Sequence, residues 1–423
     1  MLTKKAPVYR ILNSYRMEVI MRIALFTETY VPDVNGVVAH VKTLKQGLEK
    51  LGHEVLVVCA DKKARRHYVK DGVLHCPAAE AKRFYGFGVA PPISRRRMNI
   101  IAEFNPDIMH IHHEFGIGLT GIIAAKMQHK PLVYTLHTMY DQYIYYIAPR
   151  FLHKAATKVS HQYERFIARN ATELTGPSQK CSEYFKKIGI QKEFNLIPNS
   201  ADLDMFDPQK VQEDKKAEIR EKYNIPADKM IACFVGRLGQ EKSVDVLLEF
   251  WKKSIAPEDG LHLLIVGDGP DRKSLELLAE TLGIAGMVTF TGLISHDEMP
   301  AYFCCCDTFV SASLSEMNSI SMLESMATGL VVLQRYDELN ADQIKQGENG
   351  YLYNTAEEMG TLLKAIRALS LEELAAKKQA VIHTVTARGG AELAGYMLTV
   401  YEKAIRATKP KRPFRLRPLR KTK

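Results

Sequence analysis

The stretch Thr308-Phe-Val-Ser-Ala-Ser-Leu-Ser-Glu316-Met-Asn318-Ser319-Ile320-Ser-Met-Leu-Glu324-Ser-Met-Ala-Thr-Gly329-Leu330-Val-Val-Leu decides how this chain folds. It opens on a strand-like run, continues as a helix-like run and closes on another strand-like run. Glu316 falls in the strand-to-helix turn, beside backbone N–H groups that a helix start leaves free, a setting that attracts phosphates and hydroxyl-rich ligands. Glu324 lies eight residues on, close to two full helical rotations, and so shares a nearby face. One carboxylate can meet a sugar at the helix mouth and the other the ribose of the same ligand. Spacing alone is equally compatible with two solvated glutamates on a surface helix.

The same alternation runs along the whole chain. Arg22–Thr27, Glu54–Ala60, Asp107–His112 and Leu132–His137 are short apolar runs of buried-strand type, separated by helical stretches such as Val38–Leu51. The pattern breaks near Pro198–Lys216 and restarts with Met230–Gly236, Leu261–Gly267, Val288–Gly292, Thr308–Ser311 and Leu330–Leu333. Strands alternating with helices predict an α/β fold with two doubly wound, Rossmann-like parallel sheets facing a cleft at the strand C-termini. The expected division is an extension over 1–20, a first domain over 21–198, a second over 199–390, a C-terminal helix over 391–407 and a basic tail over 408–423. The opening segment reads as either a flexible extension or a mis-assigned start.

Candidate ligand contacts sit where strands end. Gly36, in Val34-Asn35-Gly36-Val37, precedes a helix and would let a ligand approach the backbone, although a plain turn glycine looks the same. Gly236-Arg237-Leu-Gly239-Gln-Glu-Lys242 puts two cations five residues apart on a glycine-containing turn, suited to clamping a diphosphate without a metal. Gly267-Asp-Gly269-Pro270 is not Gly-x-Gly-x-x-Gly, so a dinucleotide site has little support. His137 ends a strand at the ligand edge, a position also open to a structural histidine. His110, His112 and His113 lack a carboxylate or thiolate partner at a diagnostic spacing, so no metal is expected.

Composition bounds the class. The chain has 423 residues, 46% hydrophobic and 25% charged, enough for two ordinary domains. No apolar run is long enough to span a bilayer. Seven cysteines without a Cys-x-x-Cys pair argue against a disulfide framework and fit a reducing cytoplasm. The net charge of +10 is concentrated in residues 409–423, which carry eight Lys/Arg and no acid; without them the body holds only +2. Each basic residue near an anionic membrane contributes roughly 1 kcal/mol, so such a tail can hold a protein at a surface. A nucleic-acid arm or a solubility tail would look similar. Two basic–aromatic stretches suit the same interface: Lys82–Phe87 with Arg95-Arg96-Arg97, and Tyr143-Ile-Tyr-Tyr146 through Arg150-Phe151-Leu152 to Lys154, Lys158 and Arg165-Phe166. A core helix with snorkelling cations is the competing reading.

Taken together, Asn35-Gly36, Gly52-His53, Gly236-Arg237 with Lys242, Gly267-Asp-Gly269, Phe290-Thr-Gly292, the Glu316/Glu324 pair and Gly347-Glu-Asn-Gly350 resemble glycosyltransferase family 4, the retaining nucleotide-sugar transferases of GT-B fold. The resemblance spans roughly residues 21–405. Within that family His137-Thr-Met-Tyr140-Asp-Gln-Tyr143 is similar to the signature of diacylglycerol glucosyltransferases. The resemblance implies transfer of glucose from UDP-glucose to diacylglycerol or a glycosyl-diacylglycerol, without cofactor or metal, on the inner face of the cell membrane. An anionic surface is then an expected partner and nucleic acid is not. Arg237 and Lys242 would hold the diphosphate, Glu316 the sugar hydroxyls and Glu324 the ribose, with His137 beside the transferred sugar. Gly36, Gly267, Gly292, Asn318, Ser319 and Ile320 would line the donor site. Ser319 stands where the family commonly has glycine, and Pro198-Asn-Ser-Ala-Asp202 departs from the usual domain link. Another lipid-linked or soluble acceptor, or a non-catalytic partner that binds nucleotide or lipid, stays open.

Overall fold

The computed structural model describes residues 20–81, 87–385 and 389–408. Its first sheet runs from edge to edge through Phe194–Leu196, Glu173–Gly176, Leu132–Thr135, Ile108–Ile111, Arg22–Thr27, Glu54–Asp61, Val73–Pro77 and Tyr68–Lys70. Every pairing is parallel except the last, where Tyr68–Lys70 runs antiparallel to Val73–Pro77. The second sheet orders Val288–Gly292, Leu261–Val266, Met230–Val235, Thr308–Ser311, Val331–Arg335 and Gly350–Tyr353, all parallel. Continuous apolar strands form because both faces are covered by helices. Leu261–Val266 is buried at all six positions, as the unbroken Leu-His-Leu-Leu-Ile-Val run requires.

In each sheet the first strand of its unit lies between a strand that follows it directly and one reached by a crossover. Arg22–Thr27 sits between Glu54–Asp61 and Ile108–Ile111, and Met230–Val235 between Leu261–Val266 and Thr308–Ser311. Crevices open beyond the C-terminal ends of such strands. The loops that leave those ends carry the predicted site.

The fold-deciding stretch forms as read, with one difference of consequence. The helix is Ile320–Ala327, and seven of its eight residues are buried. A helix buried nearly all round is a core element, so Glu324 is not solvated; it is 6% exposed. Ser319 is the N-cap, its hydroxyl accepting from the Met322 N–H at 3.4 Å. Its φ of −64° is open to any residue, so glycine is not demanded there. A serine cap contributes about 1 kcal/mol relative to alanine.

The helix Gly390–Ala407 follows the second unit in sequence but lies on the first in space. Leu393, Met397, Val400 and Tyr401 join Val41, Leu44 and Leu48 of the helix Gly36–Lys50 in one core beneath the first sheet. Fully burying such a side chain stabilises by roughly 1.5–3 kcal/mol. The Tyr401 hydroxyl lies 2.8 Å from His110 Nδ1, tying the C-terminal helix to the strand that leads into the cleft.

One surface expectation changes. Arg97 is buried, its guanidinium donating to the Pro91 carbonyl, so it braces a turn instead of meeting a membrane. Residues 82–86 and 409–423 lie outside the described residues. All seven cysteines are free, and six of them, including Cys305 and Cys306, are buried. No described helix is long and apolar enough to cross a membrane.

Candidate active site between the two sheets

A cavity of about 760 Å³ lies where the two sets of strand ends face each other. Gly36, His137, Arg237, Lys242, Gly267, Glu316, Asn318, Ser319, Ile320 and Glu324 all line it. These residues span nearly three hundred positions and meet in one place. Gly292 is the exception among the predicted residues. It stands behind the wall, its carbonyl accepting from the Gly267 N–H at 3.0 Å, while Leu293 and Ile294 reach the cavity. Gly267 has a reason of its own to be glycine. Its φ is +140°, and a Cβ there would fall 1.9 Å from the Gly236 carbonyl oxygen. It lets two loops of the second sheet pack together, whatever ligand they meet.

The second-domain wall consists of compensated charges. Lys242 Nζ lies 2.6 Å from Glu316 Oε1, both side chains mostly shielded. Arg237 donates through Nε to Glu241 Oε1 at 3.1 Å and pairs with the same oxygen through a terminal nitrogen. Glu324 Oε1 lies 2.8 Å from His296 Nε2. Burial raises the Glu324 carboxyl above its usual range, and the hydrogen bond to that carboxyl raises His296 in turn. The spacing argument sent Glu324 to a ribose; the structure shows its carboxylate already engaged by His296, which also lines the cavity.

The opposite wall is backed by neutral groups, with His137 at the cavity and His40 and His112 behind it. His40, His112 and His137 form a compact triangle with ring centroids 4.7, 5.3 and 5.4 Å apart. His112 Nδ1 is 3.0 Å from His137 Nε2, and His40 Nδ1 is 2.9 Å from Asn199 Oδ1. Burial pushes His40 down to about 4 and His112 and His137 well below the ordinary histidine range. One ligand atom from each ring can be chosen so that all three lie within 4.8 Å of one another. Bonds of about 2.0–2.1 Å to a tetrahedral metal would hold nitrogens roughly 3.3 Å apart. The three rings therefore offer a compact set of donors, and one edge of the triangle is the His112–His137 hydrogen bond. Glu28 also lines the cavity, lifted to about 7 by burial, and accepts the Ile117 N–H at 2.5 Å. Behind it Glu114, likewise near 7, takes the hydroxyls of Tyr134 and Tyr140.

First-domain and linker residues grip the loop that carries Glu316. Lys180 donates to the carbonyls of Leu314 at 2.7 Å and Glu316 at 3.1 Å and pairs with Asp337. Asn199 bonds Asn318 twice, N–H to Oδ1 at 3.0 Å and Nδ2 to the carbonyl at 2.8 Å. Asn199 belongs to the altered domain link, so that departure from the common pattern still fastens the two units together. His53 accepts the Met21 N–H at 3.2 Å and acts structurally. Sequence reasoning missed Glu28, His40, Lys180, Glu241 and His296; each has at least one partner distant in the chain, as Glu241 has in Tyr145.

Paired Rossmann-like units, a cleft at the strand ends and clustered cations with a carboxylate define a glycosyltransferase of GT-B class. Residues 34–205 match the family described as Glycosyltransferase Family 4, and residues 215–383 that described as Glycosyl transferases group 1. The alpha-monoglucosyldiacylglycerol synthase of Acholeplasma laidlawii is 30% identical over 352 residues, covering 82% of this chain and 88% of that enzyme. Its Streptococcus pneumoniae namesake is also 30% identical, covering 82% and 79%. The chain belongs to glycosyltransferase family 4. The fold is shared with Anabaena HepE, solved with UDP and glucose, at a TM-score of 0.69 and 15% identity, covering 90% of this chain and all of that one.

Proposed function

We propose that this glycosyltransferase moves glucose from UDP-glucose onto diacylglycerol or a glycosyl-diacylglycerol, with retention at the anomeric carbon. The observation that carries the reading is the meeting of Arg237, Lys242, Glu316 and neutral His137 around one cavity. Breaking the glycosidic bond leaves negative charge on the departing diphosphate. Fixed cations in a shielded site stabilise that charge more as it develops, which is how a binding contact becomes a rate effect. Glu316 orients the hexose hydroxyls, and the free N–H groups at the start of Ile320–Ala327 admit the donor closely. His137, held unprotonated, accepts or donates a hydrogen bond beside the sugar without adding a positive charge. In front-face transfer the leaving phosphate takes the acceptor's proton, so no protein base on the far side is required.

A lipid acceptor is supported by the relatives' printed names and by an exposed apolar face. Phe151 is 82% exposed, and Leu152, Val159 and Phe166 are also exposed. Leu152, Val159 and Phe166 recur at seven-residue spacing along and just before the helix His153–Asn170, flanked by exposed Lys154 and Lys158. Rings and cations together suit the headgroup boundary of an anionic membrane. We place the protein on the cytoplasmic face as a peripheral enzyme, with the tail 409–423 adding attraction. The test is UDP release from UDP-glucose with and without diacylglycerol in mixed micelles. Release that depends on diacylglycerol supports the reading. Equal release without lipid, or turnover only with another sugar nucleotide, overturns it.

A further inference from the structure

The donor clamp sits in the second domain, yet its orientation is set partly from the first. Glu241 has a carboxylate with only 2% of its side chain exposed. One oxygen, Oε1, holds the Arg237 guanidinium. The other, Oε2, accepts the Tyr145 hydroxyl at 2.8 Å, and the Glu241 N–H donates back to the same phenol oxygen at 3.2 Å. The Glu241 carbonyl in turn takes the hydroxyls of Ser313 at 3.2 Å and Ser315 at 2.6 Å, bracing the loop that presents Glu316. Tyr145 lies on the short helix Ile144–Ile147, just after the His137–Tyr140 segment of the first-domain wall. The sequence grouped this tyrosine with membrane-facing aromatics; here it reaches across the cleft.

We propose that Tyr145 is a positioning residue for transfer, acting through Glu241 on Arg237. The inference rests on the reading that Arg237 grips the leaving diphosphate. A carboxylate bound on one oxygen alone can swing about its side-chain torsions. Fixing the second oxygen fixes the carboxylate plane, and a planar guanidinium then inherits that direction. Because the phenol comes from the opposite domain, this geometry exists only with the two domains apposed. The tyrosine thereby ties the segment beside the acceptor half of the cleft to the grip on the leaving group. A small loss of direction costs more in the transition state, where charge develops, than in the ground state.

The experiment compares Tyr145→Phe, Glu241→Gln, the double variant and Arg237→Ala by steady-state kinetics and by calorimetric titration with UDP. Tyr145→Phe is expected to lower kcat three- to tenfold, with UDP affinity and donor KM within twofold of the parent and thermal unfolding little changed. In the Glu241→Gln background the same substitution should have little further effect. An unchanged kcat in Tyr145→Phe, or a UDP affinity that falls in step with kcat, overturns the proposal. A full additional loss in the double variant overturns the route through Glu241. Arg237→Ala separates the two readings: if it leaves UDP affinity intact, the diphosphate assignment itself fails, whatever Tyr145 does.

Discussion

The two walls of the cleft handle buried polarity in opposite ways. On the second-domain side, charged groups are shielded but paired: Lys242 with Glu316, Arg237 with Glu241, Glu324 with His296. On the first-domain side, titratable groups are held in their neutral forms: His40, His112 and His137 are pushed down, and Glu28 and Glu114 pushed up, all chiefly by burial. Desolvation acts on both walls. Where an opposite charge is in contact, as His296 is for Glu324, it offsets part of the cost of burial; where none is, burial drives the group toward its neutral form. On the proposed reading the division suits the task, because the charged wall would meet the diphosphate and the neutral wall the uncharged acceptor hydroxyl.

That contrast makes a ranked prediction. On the proposed reading, Glu316→Ala removes a charged partner of the sugar, together with the ion pair to Lys242. A charged hydrogen bond contributes about 1.5–3 kcal/mol, so kcat/KM should fall by about tenfold to over a hundredfold. His137→Ala removes a neutral hydrogen-bonding group worth about 0.5–1.5 kcal/mol, and a loss of roughly two- to tenfold is expected. Both proteins should retain cooperative unfolding. Equal losses in the two variants would break the contrast, since the neutral wall would then be carrying charge stabilisation of its own.

The same division decides what could be read in the sequence. The charged wall is local: Arg237 and Lys242 share one turn, and Glu316 and Glu324 share one strand–turn–helix segment. Periodicity and strand-end position were enough to place them at the ligand edge, and the alternation of strands and helices gave both sheets. The neutral wall is assembled from separate strands and a helix. His40, His112 and His137 come from three elements, so spacing among His110, His112 and His113 drew attention to the wrong set. Burial was also invisible. Spacing leaves Glu324 equally open to a ribose-facing and a solvated position, and its burial shows only once Met322, Leu323 and Met326 are seen in the core beside it. Lys180 and Tyr145 look like surface residues in the sequence, and only the apposition of the domains gives them partners in the second one.

Proton uptake offers a second way to sharpen the contrast. His40 has a folded pKa of about 4 against 6.5 in a model peptide. Between these values the unfolded chain takes a proton that the folded one refuses. Its contribution to stability is therefore full above pH 6.5 and is lost as pH falls toward 4, by at most about 1.4 kcal/mol per pH unit. His296 runs the other way. Its folded pKa is raised by Glu324, so its contribution is present below 6.5 and is lost as pH rises through the folded value. Residue-resolved NMR titration should show His296 changing above pH 6.5 and His40 silent down to pH 5. An ordinary inflection for His40 near 6.5 would mean that the first-domain wall admits water and charge.

The smallest effect tests whether a glycine serves the fold or the ligand. Gly36 opens the helix Gly36–Lys50 and faces the start of Ile320–Ala327 across the cleft. A Cβ added there would find its nearest neighbour, Ile320 Cδ1, at 3.8 Å, an ordinary contact. Its backbone is not in the left-handed region, in contrast to Gly267. Nothing in the protein itself requires glycine at 36. Gly36→Ala should therefore leave stability unchanged or raise it by about 0.4–1 kcal/mol, because alanine restricts the unfolded chain. If the donor packs against this backbone, the added methyl group should nonetheless raise the KM for UDP-glucose severalfold. Urea unfolding and donor titration of one variant separate the two roles. A stability gain with an unchanged KM would remove Gly36 from the donor site, and a stability loss would show that the space beside it is not open.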